Sequence, residues 1–124
     1  MRKVLVVDDN RPSRELIVDI LRPLSLELAE APDGTTALAA ARSMGPDLVI
    51  LDLMMPGMDG FAVLHELRHD PVCAGTPVMA VTANAMPGER SKALLAGFSD
   101  FLTKPLRCAE LRRRVEALLN VTHS

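Results

Sequence analysis

The chain has 124 residues, of which 48% are hydrophobic and 24% charged, a size and composition that suit one domain with its own core and exclude a disordered chain or a disulfide-held mini-protein. Fourteen basic and sixteen acidic residues give a net charge of −2, and with three Phe and no Tyr or Trp there is neither a basic field nor an aromatic platform for nucleic acid. No apolar run approaches the ~20 residues that span a bilayer, and the opening Met1 to Asp9 is too short and too acidic at its end for a signal peptide, so Cys73 and Cys108 read as reduced thiols of a cytoplasmic protein.

Lys3 to Val7 is a continuous apolar, β-branched run, the signature of a strand buried on both faces. From Arg11 to Leu24, Leu16, Ile17, Ile20, Leu21 and Leu24 recur at helical spacing, with Asn10 or Asp9 as cap, Pro12 in the first turn and Pro23 ending the helix. Leu26 to Glu30 is a second, weaker strand. Pro32-Asp33-Gly34-Thr35 forms a turn and cap before an Ala-rich helix, Thr36 to Met44, stopped by Gly45-Pro46. Asp47 to Leu53 is the third strand, Met54 to Gly60 a loop, and Phe61 to His69 a helix with Val63, Leu64 and Leu67 inward. A loop over Asp70 to Thr76 leads to a fourth strand, Pro77 to Thr82, then a helix from Pro87 to Ala96 stopped by Gly97. Phe101 to Thr103 is a short fifth strand, and Pro105 to Leu119 a last helix with Cys108, Leu111, Val115 and Leu118 on one stripe.

Five strand–helix units predict an α/β fold: a five-stranded parallel sheet, doubly wound, in the order 2-1-3-4-5. No repeat or linker interrupts it, so residues 1–124 read as one domain, and Met1 directly before the first strand reads as a natural start.

In such a sheet all strands end on one edge, where ligands bind. The first strand ends in Asp8-Asp9, the third in Asp52, the fourth in Thr82 and the fifth in Lys104. Singly, each has a plainer role: a cap, a strand-end hydroxyl, a solvated ammonium. Asp52 resists that reading, because an unpaired carboxylate avoids an apolar run. Together they place three carboxylates, a hydroxyl and an ammonium around one crevice. Clustered carboxylates repel one another, and a hard divalent cation relieves them; an all-oxygen donor set suits Mg²⁺, with Mn²⁺ the alternative. A carboxylate beside Mg²⁺ and a lysine is a nucleophile toward phosphorus.

The same residues carry a resemblance. VLVVDDN (Val4 to Asn10), PDLVILDLMMPGMDG (Pro46 to Gly60), VTANA (Val81 to Ala85) and DFLTKP (Asp100 to Pro105) resemble, in content and order, the receiver domain of bacterial two-component response regulators, a flavodoxin-like fold. The resemblance implies that Asp52 is the phosphoacceptor, taking a phosphoryl group from the phosphohistidine of a histidine kinase or histidine phosphotransfer protein and hydrolysing it slowly. It implies Mg²⁺ ligands from Asp9 directly, Asp8 often through water, Asp52, and the backbone carbonyl of Met54. Thr82 and Lys104 would bind phosphoryl oxygens. Thr82 and Phe101 would act as a switch, reshaping the surface of the fourth helix, fifth strand and fifth helix for a downstream protein target. Lys104-Pro105 resembles the family's cis peptide, and Gly60 permits close backbone approach at the start of the third helix. Where many relatives have Tyr, this chain has Phe101, which lacks one hydrogen bond in the inward state. VTANAM (Val81 to Met86) is similar to receivers of hybrid kinases and phosphorelays, hinting at a phosphate shuttle. A single domain without an output domain would act through protein contacts, as a monomer or a weak phosphorylation-dependent dimer, without touching nucleic acid or entering a membrane.

Three other functions fit the sequence less well. An aspartyl phosphohydrolase usually has an acid two positions after its nucleophile, where this chain has Met54. A flavin module needs a phosphate-cradling loop after the first strand, and Asp8-Asp9-Asn10-Arg11-Pro12 would repel phosphate. A receiver that binds partners without phosphorylation would not need the complete acidic, Thr and Lys set. Among the remaining features, Arg112-Arg113-Arg114 reads as a solvated face. Met54, Met55 and Met58 read as packing and loop residues, and His65 with His69 as an exposed polar face without a third metal ligand. Cys108 is expected in the core, and Cys73 in an accessible loop.

Overall fold

A computed structural model describes residues 1–84 and 86–121 of the chain; the side chain of Val121, and Ala85 of the VTANA segment, lie outside the described set. The elements alternate as expected: β1 (Lys3–Val7), α1 (Arg11–Leu21), β2 (Glu27–Ala31), α2 (Gly34–Met44), β3 (Leu48–Asp52), α3 (Gly60–Arg68), β4 (Val78–Thr82), α4 (Glu89–Ala96), β5 (Asp100–Thr103) and α5 (Cys108–Val121). The strands form one parallel sheet in the order β2-β1-β3-β4-β5.

Strand alternation builds two cores. Leu5, Val7, Val49, Leu51 and Ala80 face α2, α3 and α4, packing on Ala37, Ala41, Val63, Leu64, Leu67 and Ala93. Val4, Val6, Leu48, Ile50, Met79, Val81 and Leu102 face α1 and α5, packing on Ile17, Ile20, Leu21, Leu111, Val115 and Leu119. Side chains start three of the helices: Asn10 accepts the Ser13 N–H, Asp33 that of Thr36 and Asp59 that of Ala62, satisfying first-turn donors that have no helical partner. No helix among the described residues is long and apolar enough to cross a membrane.

Several local expectations are corrected. The first helix ends at Leu21 and continues as a 3₁₀ turn, Arg22–Leu24, because Pro23 cannot donate to the α ladder. Leu16 stands on the flank of α1 and is exposed, since the buried stripe runs through Ile17, Val18, Ile20 and Leu21. The last helix begins at Cys108, three residues later than expected, which leaves that thiol on the exposed first turn beyond the sheet. Leu119 joins Leu111 and Val115 as the fully inward stripe at i, i+4 and i+8, with Leu118 partly buried against the same core. Cys73, by contrast, is fully buried, because the turn after α3 folds back so that the Cys73 N–H meets the Asp70 carbonyl and the thiol joins the core. Arg113 alone of the arginine run is exposed: Arg112 donates to the Ile20 carbonyl at 2.7 Å and Arg114 grips Asp100 at 2.7 and 2.9 Å.

Candidate functional site

The alternation that builds the α1–α5 core also builds the site. In register, Val6 faces Ile50 on the neighbouring strand. Two residues further on, Asp8 and Asp52 stand at one level on adjacent strands, on the side where Val6 and Ile50 are buried. Two residues after Leu102, Lys104 takes that side from β5. Hydrophobic side chains thus give way to ionised ones at the carboxyl ends of the strands.

Hydrogen bonds hold the cluster together. Lys104 Nζ donates to Asp8 Oδ2 at 2.8 Å and to Asp52 Oδ2 at 3.3 Å. The Asn10 N–H donates to Asp8 Oδ1 at 2.9 Å, and the Met54 N–H to Asp52 Oδ1 at 3.0 Å. Asp8 is fully buried and Asp52 nearly so, whereas Asp9 is exposed. One carboxylate oxygen from each of Asp8, Asp9 and Asp52 lies within 4.8 Å of the others, and among the described residues no other three His, Cys, Asp or Glu side chains are placed so that they could hold a metal ion. His65 and His69 are exposed at the end of α3, their rings tilted against each other with centroids 4.4 Å apart, and no third ligand joins them among the described residues.

Burial pushes the Asp52 carboxyl above its ordinary value; the Met54 N–H and the Lys104 ammonium pull it back, and the Asp8 charge pushes it further up. Burial disfavours the Lys104 ammonium too, but the Asp8 hydrogen bond and the charges of Asp52 and Asp8 outweigh it, so its pKa is raised and the proton is held. One ammonium among three carboxylates leaves charge that a single dication would neutralise. The donors are all hard oxygens, so the residues present fit Mg²⁺ or Mn²⁺.

Thr82 ends β4 fully buried, its Oγ1 accepting the Asn84 N–H at 3.1 Å, and the Lys104 N–H donates to the Thr82 carbonyl at 2.9 Å. The Lys104–Pro105 peptide is cis. Gly60 lies where a Cβ would come within 2.7 Å of the Asp52 carbonyl oxygen and 2.8 Å of Leu53 Cα, so the start of α3 seats against β3 only without a side chain. Phe101 is buried among the residues of the α2–α4 core. Met54 is exposed beside the crevice, while Met55 is buried.

The model of the response regulator receiver domain family matches residues 4–116. The chain belongs to that family. Over 116 residues this receiver domain is 44% identical to the response regulator PleD of Caulobacter vibrioides, covering 94% of this chain and 26% of PleD, so it spans about a quarter of that relative. Its fold superposes on the chemotaxis protein CheY4 of Vibrio cholerae with a TM-score of 0.88 at 30% identity, covering 95% of this chain and 98% of the other. It also superposes on the receiver domain of the sensor histidine kinase PA1611 from Pseudomonas aeruginosa, with a TM-score of 0.87 at 32% identity and coverage of 96% and 98%. That structure has a magnesium ion coordinated in its active-site cleft.

Sequence reasoning named Asp8, Asp9, Asp52, Thr82 and Lys104, and the fold brings them to one edge. It missed Arg14. The guanidinium of Arg14 donates to the Asp8 carbonyl at 2.9 Å and to Glu30 Oε1 at 3.0 Å. No motif signals this, because the contact joins a helix, a loop and the end of a third segment.

Proposed function

We propose that this receiver domain is a phosphoacceptor in a two-component or phosphorelay system, with Asp52 as the residue modified. The observation that carries the reading is the buried Asp52 carboxylate, held between the Lys104 ammonium and the Met54 N–H beside two further carboxylates. In the reaction an Asp52 oxygen attacks the phosphorus of a phosphohistidine. The new O–P bond forms as the P–N bond breaks, and the leaving imidazole takes up a proton. Lys104 keeps its charge and stands ready for a phosphoryl oxygen. The Thr82 hydroxyl accepts from Asn84, which leaves its hydrogen free to donate to a second. Asp8, Asp9, Asp52 and the Met54 carbonyl would hold Mg²⁺, which when bound neutralises charge on the transferring group. No acid stands two positions after Asp52 to speed hydrolysis, so autodephosphorylation is slow.

A histidine kinase or histidine phosphotransfer protein supplies the phosphoryl group. A downstream protein reads the α4-β5-α5 surface, with Thr82 and Phe101 as the switch. Intact-mass spectrometry after incubation with acetyl phosphate and Mg²⁺ tests this reading. Wild type gains one phosphoryl group and Asp52→Asn gains none. Failure of the folded, Mg²⁺-supplied wild type to gain mass, or labelling of Asp52→Asn, refutes it.

A further inference from the structure

We propose that Arg14 is a positioning residue for the metal-binding carboxylates, holding the Asp8–Asp9 peptide so that the Asp9 side chain stands beside Asp8 and Asp52. The inference rests on the reading of the site given above.

The three carboxylates are not held alike. Asp8 takes hydrogen bonds from the Asn10 N–H and Lys104, and Asp52 from the Met54 N–H and Lys104. The Asp9 carboxylate is exposed and receives none among the described residues. Its place near the other two is therefore inherited from the backbone that carries it. That backbone has just left the sheet. The β1 ladder ends with Val7 opposite Ala31 and Leu51, and the Asp8 N–H makes a last bond to the Ala31 carbonyl at 3.2 Å. The Asp8 carbonyl, which belongs to the peptide leading into Asp9, is taken instead by Arg14 Nη1 at 2.9 Å.

Arg14 is well placed to hold it. Its side chain is 14% exposed, against 79% for Arg11 three residues earlier on the same helix. Its Nε is anchored at 3.0 Å by Glu30, at the end of β2. One planar group thus ties α1, the β1–α1 loop and β2 together, a task suited to the rigid guanidinium fork and beyond a single ammonium. Glu30 also balances the Arg14 charge. The two ways in which Arg14 acts on a cation site therefore differ in sign: a bare positive charge would repel the metal, and a positional anchor favours its binding.

Titration calorimetry with MgCl₂ on the full chain separates them. Arg14→Ala is expected to weaken Mg²⁺ binding by about 10-fold or more, the usual effect of removing a group that orients a metal ligand. Arg14→Lys falls between Arg14→Ala and wild type, because one donor is restored. Arg11→Ala, which removes the same charge from an exposed position, leaves the dissociation constant within about twofold of wild type or tightens it. Circular dichroism reports whether each variant is folded. If Arg14→Ala does not fold, Arg14→Lys stands in: it keeps the charge but cannot hold Glu30 and the Asp8 carbonyl with one rigid fork, and it is expected to weaken binding in the same direction. Unchanged or tighter binding in folded Arg14→Ala, or in Arg14→Lys where that variant must stand in, overturns the proposal. Wild type that binds no Mg²⁺ overturns the reading of the site itself; wild type that binds with an unaffected Arg14→Ala overturns only the role of Arg14.

Discussion

Replacing Lys104 by Met removes the ammonium and keeps most of the side-chain volume, leaving Asp8 and Asp52 facing each other across adjacent strands. Lys104 stands 2.8 and 3.3 Å from their oxygens, and both carboxylates are buried. Removing one member of a buried ion pair costs about 3–5 kcal/mol. The Lys104 side chain is 21% exposed, so solvent already screens part of the interaction and about 2–3 kcal/mol is expected in metal-free protein. For a domain of this size that corresponds to a fall in Tm of about 6–15 °C. The chain has no Trp or Tyr, so unfolding is followed by circular dichroism, in EDTA and again in Mg²⁺. The variant should also bind Mg²⁺ more tightly, since the ammonium no longer competes for the Asp8 and Asp52 oxygens. At a hundredfold excess over its Kd, added metal should therefore stabilise the variant by about 2.7 kcal/mol, and wild type, which binds less tightly, by less at the same concentration. A variant as stable as wild type in EDTA, or one that gains less from Mg²⁺, refutes the view that Lys104 compensates the acidic cluster.

Gly60→Ala pushes a methyl group into the Asp52 carbonyl and Leu53 backbone, so it should destabilise the domain by about 1–3 kcal/mol and slow labelling by acetyl phosphate; chemical denaturation and intact mass check both effects. The raised pKa of Asp52 means that its contribution to stability is full below the ordinary carboxylate value of about 4 and is lost as pH rises through its higher folded value. In EDTA the stability of Asp52→Asn relative to wild type should accordingly grow across that window, and a pH-independent difference in urea midpoints would contradict the assignment. Burial also raises the Cys73 thiol, whereas Cys108 is exposed, so iodoacetamide should add one group to native protein and two after unfolding. Two rapid additions to the folded chain would show that Cys73 is accessible.

Much of the architecture follows from periodicity alone. The runs over residues 4–7 and 48–51 are apolar at every position because both faces of a parallel strand are covered, and the intervening helical stripes allow few topologies. The errors fall where a local pattern meets a tertiary boundary. Cys108 sits at helical spacing from Leu111, yet it belongs to an exposed first turn. Cys73 sits in the loop after α3, which folds back so that the thiol joins the core. Arg112 and Arg114 look like a solvated run and instead hold the Ile20 carbonyl and the Asp100 carboxylate.

The candidate site divides along the same line. A strand places every second side chain on one side, so a linear chain with a known strand order already sets Asp8, Asp52 and Lys104 together at one edge. Contacts between elements with no shared period follow no such rule. That Arg14 reaches back to the Asp8 carbonyl, that Glu30 anchors it, and that the Phe101 ring lies inside the core depend on how helices and loops pack in three dimensions. These contacts are set by distances and directions across the fold, which the spacing of residues along the chain does not encode.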